Sequence, residues 1–565
     1  MENSPHINYF AQTDFRGRKI PFGIKSEDRA KHVYVIGKTG MGKSTMLENM
    51  AIQDIKNGEG MCFIDPHGKT AELLLEYVPK ERIDDVLYIA PFDLEYPIGF
   101  NVMEDVGKAE RHLVAAGLMS AFKKIWVDAW SARMEYILNN TILALLEYPG
   151  STLLSVNKML SDKKFREKVV AHITDPGVKS FWVDEFASYT DRFAAEATPA
   201  IQNKVGQFTS NPLIRNILGQ PQSTFNFRQL MDEKKIVIIN LSKGRIGEGN
   251  ANLLGSMLIT KIYLAAMSRA NMTETEIKKM PAFYLYVDEF QSFANESFAD
   301  ILSEARKYKL ALTIAHQYIE QMPEEVRDAV FGNVGTTVAF RVGPFDAEVF
   351  EKIFFPTFTK EDMVGLGFAQ IYLSLSIDGV GSKPFSATTL PPIAPLDKNN
   401  AREVIAASRK KYAKTQAEVE AIITDLHGGT KDNNQPESVK NDFKPNKNYR
   451  DQNNSRNHKP APVSKNNHRE EPKKSLSLFK LKPKDRPLDE KSTGKHKNDL
   501  KSALAELMMG QKNSTSKKES EPKKETVVND TNYVSKPPVQ NHKPATSEVP
   551  EEVLRAMLNV DDKSK

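Results

Sequence analysis

The chain has 565 residues, enough for two or three domains with buried cores. Its single cysteine, Cys62, excludes a disulfide framework, and its place in the apolar run Met61-Cys62-Phe63-Ile64 reads as a buried thiol, not a nucleophile. The net charge of +5 is unevenly spread: residues 431–565 hold 29 Lys+Arg and 20 Asp+Glu, leaving 49 and 53 in residues 1–430, so bulk positive charge in the folded part is excluded as a reason to expect nucleic-acid binding.

Residues 1–32 read as a short entry segment with a strand near 19–24. From Val33 the chain alternates strand-like and helical stretches. The strand-like runs are 33–36, 61–64, 86–90, 236–240, 283–287, 310–314, 336–340 and 370–376. Several are continuously apolar, as strands covered on both faces are. The expected fold class is therefore α/β with a mostly parallel sheet.

Directly after the first of these runs, residues 37–45 read Gly37-Lys38-Thr39-Gly40-Met41-Gly42-Lys43-Ser44-Thr45. This is the G-x-x-x-x-G-K-[ST] phosphate cradle. The glycines let backbone N–H groups curl around phosphate oxygens. Lys43 puts a point charge on the outer phosphates, the Ser44 hydroxyl is placed to ligate Mg²⁺, and the helix that starts here adds its positive end.

The stretch 104–225 interrupts the α/β rhythm. It is rich in 3.6-residue periodicity, with Met134, Ile137, Leu138, Thr141, Ile142 and Leu145 on one helix face, and it holds all three tryptophans, Trp126, Trp130 and Trp182. The expectation is an inserted all-α domain serving substrate or partner handling, or a purely structural insert. Domain bounds on this reading are 1–103, 104–225 and 226–425, with a disordered basic tail over 426–565. Two short helices are expected in the tail, near 498–509 and 550–559, either as recognition helices or as transient helicity without a partner.

Hydrolysis needs carboxylates beyond the cradle. The apolar run 283–287 ends in Asp288-Glu289, at the strand edge that faces ligands in parallel sheets. Asp288 would complete the Mg²⁺ shell, and Glu289 would orient and deprotonate the attacking water. The next strand ends in His316-Gln317, where an uncharged amide can sense hydrolysis and His316 reads as a neighbour. Arg306, on a helix expected over 298–308, is either a cation acting across a subunit boundary or a solvated helix-end charge; Arg341 is a second candidate. Asp65 and His67 would face the nucleotide edge, or His67 would cap the following helix, and the loop Asn240-Leu241-Ser242-Lys243-Gly244-Arg245 would touch DNA or an adjoining subunit.

The ordered set VYVIGKTGMGKSTML (33–47), FIDPHGK (63–69), INLSKG (239–244), YVDEFQ (286–291), LSEARKYK (302–309) and His316-Gln317 resembles the type IV secretion coupling proteins of the TraG/TraD kind and their HerA/FtsK relatives. The resemblance covers roughly residues 16–400. It implies a RecA-like P-loop motor with an all-α insert, ATP and Mg²⁺ as cofactors, and a homo-hexameric ring that pumps single- or double-stranded DNA. By position, Lys43 and Ser44 match its Walker A lysine and serine, Asp288 and Glu289 its Walker B, Gln317 its sensor and Arg306 its trans arginine. Membrane-bound members carry spanning helices ahead of the cradle. Here 36 residues precede Gly37, with neither an apolar run of 18 residues nor a signal peptide, so no transmembrane segment is expected. The implied location is cytoplasmic, peripheral to the inner face of the membrane only through a relaxase or secretion-channel partner held by the tail. The alternatives are a HerA-like cytosolic DNA-processing ATPase, a protein-substrate ATPase, and an ATP-gated adaptor.

Overall fold

The computed structural model of the protein describes residues 6–14, 17–104 and 107–427. The tail helices expected near 498–509 and 550–559 lie outside them. An 11-stranded sheet organises the described chain, in the order β2-β1-β13-β10-β9-β3-β8-β7-β4-β6-β5. Its strands are β1 (Ile7–Gln12), β2 (Pro21–Lys25), β3 (Val33–Ile36), β4 (Gly60–Asp65), β5 (Val86–Ile89), β6 (Ile236–Asn240), β7 (Phe283–Val287), β8 (Leu310–His316), β9 (Thr336–Ala339), β10 (Gln370–Ser374) and β13 (Phe385–Thr389). A separate two-stranded ribbon pairs β11 (Ser376–Ile377) with β12 (Val380–Gly381).

The run from β9 to β5 is parallel throughout, and β10, β13, β1 and β2 extend it in antiparallel fashion. The central parallel strands are buried at every position, whereas β10 alternates between buried and partly exposed residues. That difference explains which strands are legible. Continuous apolar runs mark β3, β4, β6, β7 and β8. By contrast β1, β13 and the ribbon, which lack a continuous apolar run, are additional to the expected set.

Successive residues of each parallel strand feed two cores on opposite faces. On one face Val33, Val35, Phe63 and Tyr286 meet Met46, Leu47 and Met50 of the cradle helix, Lys43–Lys56. On the other, Tyr34, Ile36, Ile64 and Val287 join one continuous core with the helices between β5 and β6. Every described element between those strands is helical, from Arg111–Ile125 to Phe227–Asp232. This segment therefore builds directly onto the sheet.

One expectation changes. The helix expected over 298–308 is an α-helix, Ser297–Glu304, followed by a 3₁₀ turn, Ala305–Tyr308, that ends on Lys309 in the left-handed region. Among the described residues one helical stretch, Glu248–Asn271, is long and apolar enough by length and composition to cross a membrane. It is 61% buried inside the protein, and Leu253, Leu254, Leu258, Ile259 and Ile262 of helix Glu248–Met267 belong to the core shared with the sheet.

Candidate active site

Strand register brings the expected residues to one edge. Ile36 lies opposite His316 on one side and Ala339 on the other, so Gly37 and Gln317 leave the sheet side by side. Val287 lies opposite Ile64 and Ile314, which sets Asp288 one step along the same edge. The cradle starts against its neighbour strand: Gly37 N–H donates to His316 O (3.2 Å), and Lys38 N–H donates to Arg341 O (2.8 Å). A Cβ on Gly37 would sit 2.5 Å from Phe340 Cβ, so the close approach demands glycine. Gly42, with φ 113°, supplies the left-handed turn that opens the cradle helix.

Lys43 is buried and donates through Nζ to the cradle's own carbonyls, Gly37 O (2.5 Å) and Lys38 O (3.2 Å). Burial lowers its pKa, opposed by Glu289 and Asp288. Ser44 is exposed and donates through Oγ to Asp288 Oδ2 (3.1 Å). Burial first, then the neighbouring Glu289, push the Asp288 carboxyl up to about 6. A cation beside that carboxylate would favour its charged form. Ser44 and Asp288 are hard oxygen donors of the kind Mg²⁺ takes together with phosphates and water. Among the described residues there is no group of three or more His, Cys, Asp or Glu that could hold a metal. The donor set therefore fits a cation that arrives with a phosphate ligand.

Glu289 stands in the left-handed region, φ 47° and ψ 48°, a conformation costing of order 1 kcal/mol for a non-glycine residue. Two amides hold its carboxylate: Gln317 Nε2 donates to Oε1 and Gln291 Nε2 donates to Oε2. Thr39 of the cradle closes the chain by donating through Oγ1 to Gln317 Oε1 (3.1 Å). His316 is fully buried, with Nδ1 at 3.3 Å from the Tyr34 hydroxyl. Burial, then Lys43 and Lys124, lower its pKa to about 3, so it stands as a neutral imidazole behind the site.

The remaining candidates separate. The Asp65 carboxylate is buried and accepts from His67 N–H (2.7 Å) and Ala71 N–H (2.9 Å), so Asp65 ties down its own loop while the His67 side chain is exposed. The 240–245 loop docks on that turn through Leu241 N–H to Asp65 O (2.9 Å) and Lys243 N–H to Pro66 O (2.8 Å). Arg245 stacks over the Phe92 ring at 3.5 Å. Arg341 is at the cradle edge, its carbonyl bonded to Lys38. Arg306 is exposed, ahead of β8, at the far end of the strand from Gln317. At 3.3 Å per residue that is roughly 20 Å away.

Sequence reasoning missed Gln291 and Lys124. Gln291 closes the YVDEFQ run, but nothing in that run assigns it a role beside Glu289. Lys124 comes from the helical segment, far away in sequence, and donates to Gln291 O (2.6 Å) and Ala294 O in the loop after β7.

Residues 17–353 match the family model described as the type IV secretion-system coupling protein DNA-binding domain. Among solved structures, the fold is similar to that of a bacterial conjugative coupling protein, TrwBdeltaN70, in an unbound monoclinic form. The TM-score is 0.51 at 15% identity, covering 71% of this chain and 91% of that one. It is equally similar to the plasmid coupling protein TrwB in complex with the GTP analogue GDPNP, with TM-score 0.51, 14% identity, and 71% and 98% covered. For TrwB in complex with ADP and Mg²⁺ the values are 0.51, 15%, 71% and 98%. No curated protein matches the chain.

Proposed function

The chain belongs to the type IV secretion-system coupling protein family, and from that premise we propose that it is an ATP-driven DNA translocase of conjugative transfer, working as a homo-hexameric ring with nucleotide sites shared between subunits. One observation carries the reading: cradle, Ser44, Asp288, Glu289 and Gln317 converge at one sheet edge and touch one another. TrwB, the similar fold, holds ADP with Mg²⁺ in one structure and a GTP analogue in another.

In this reading the cradle amides and Lys43 bind the ATP phosphates. Ser44 and Asp288 would hold Mg²⁺, whose charge would offset that developing on the phosphate oxygens. Glu289, released by one of its two amides, accepts a proton from the attacking water. Gln317 lies between Thr39 and Glu289 and changes partner as the terminal phosphate leaves. Arg306 cannot reach its own cradle, so we infer that it serves a neighbour's, while Arg341 stays with its own. Phe345 and Phe368, each 73% exposed, flank the cradle edge, and the Ala369 N–H beside Phe368 donates to Met41 O (3.1 Å). Exposed aromatics there suit cover by a second subunit.

Sharing is tested by mixing. Lys43→Ala and Arg306→Ala should each be inactive alone, and a mixture should regain ATPase activity at junctions that pair the intact halves. No regain, or full activity of Arg306→Ala alone, contradicts shared sites. A protein cargo is the second reading, which the near-neutral net −4 of residues 1–430 permits.

A further inference from the structure

Resting on that function, a partly buried lysine outside the site carries one more step. Lys124 lies in the last turn of helix Arg111–Ile125, at the end nearest the tryptophans. Among the described residues no carboxylate pairs with it. Its ammonium spends its hydrogen bonds on the backbone of the loop after β7, at Gln291 O and Ala294 O. Adjacent Lys123 reaches Glu296 of the same loop (3.1 Å), an exposed pair that adds little by itself. The loop's other end is the Gln291 amide on Glu289. On the far side of Lys124, Trp126 stacks on Phe122 (5.1 Å between ring centroids) and faces Trp130 (6.5 Å). A continuous chain therefore runs from cradle to helical segment: Thr39, Gln317, Glu289, Gln291, the loop backbone and Lys124.

Both oxygens of Glu289 are held by amides, and Glu289 is left-handed. A shift of the 289–294 loop would carry the Gln291 amide off Glu289 Oε2, and Lys124 ties that loop to helix Arg111–Ile125. We propose that Lys124 is a positioning residue that couples the hydrolytic carboxylate to the helical segment, so that nucleotide state at the cradle is transmitted to the Trp126 region.

The chain's three tryptophans, Trp126, Trp130 and Trp182, all lie in the helical segment and supply the readout. In the full-length protein, a non-hydrolysable ATP analogue with Mg²⁺ should change tryptophan emission. Lys124→Met should abolish that change and lower kcat about tenfold, with KM and the affinity for a fluorescent nucleotide within about twofold of the parent. Lys124→Arg, which keeps the charge and donors, should retain most of the emission change. The proposal is overturned if Lys124→Met responds and turns over like the parent, or if its nucleotide affinity falls as far as its rate, the mark of a merely structural role. Glu289→Gln separates the failures. If it loses turnover while Lys124→Met behaves as the parent, the coupling is wrong and the site stands. If it turns over normally, the site assignment falls and the coupling with it.

Discussion

The parallel strands and the helices between β5 and β6 share one core but divide the labour. Strands β3, β4, β6, β7 and β8 are buried along their length, and the functional residues gather where strands end, at Gly37, Asp65, Asp288 and Gln317. Chemistry collects there because a parallel sheet aligns all its strand ends on one side. The helical segment contributes packing, through Phe122, Ile137, Leu145, Trp182 and Leu218, and sends Lys124 toward the site. Changes at the sheet edge should therefore cost turnover without stability, and changes inside the helical segment should cost stability first.

The largest effect belongs to the edge. Glu289→Gln should lower ATP hydrolysis at least about 100-fold, since it removes a general base. Nucleotide binding and the melting temperature should stay as in the parent. A large loss of stability in that variant would blur the division. In the helical segment, Phe122→Ala empties a fully buried site against Trp126. It should cost about 3–5 kcal/mol in denaturant unfolding. A loss below about 1 kcal/mol would show that this segment does not share the sheet's core as its packing indicates.

How far the sequence reveals this division follows from the same physics. The cradle and Asp288-Glu289 are legible because their spacing is local and each follows an unbroken apolar run. Strands β1 and β13 are not, because a partly exposed antiparallel flank strand mixes polar residues among its apolar ones and leaves no unbroken run. Asp65 reads in the sequence as facing the nucleotide edge, and only its two backbone partners show it tying down a turn. Arg306 and Arg341 are indistinguishable by residue type, and they separate once β8 and β9, the strands on either side of β3, place one before its strand and the other after it. Gln291 and Lys124 acquire meaning through contacts in space, across 167 residues of separation.

The smallest effect is set by pH. His32 Nδ1 accepts from Leu312 N–H (3.1 Å), and its Nε2 is 3.2 Å from Leu302 O, an arrangement that suits the neutral ring. Burial lowers its pKa from 6.5 to about 4. The unfolded chain therefore binds the proton first, and the stability His32 supplies above pH 6.5 is lost as pH falls toward 4. Between pH 7 and 5 that loss is about 2 kcal/mol. His316 acts in the same direction, while Asp288, raised to about 6, acts in the opposite one. Comparing urea midpoints of the parent and His32→Gln across that range isolates the contribution. Parallel pH curves for the two proteins would exclude it.

The central claim is that ATP turnover at this edge is harnessed to DNA. Its most direct measurement is the ATPase rate of the full chain with and without single- and double-stranded DNA, at one stated salt concentration and with Glu289→Gln as the blank. The account predicts a weak rate for the isolated protein that rises when DNA is added and falls again as salt is increased. A rate indifferent to both forms of DNA would contradict it.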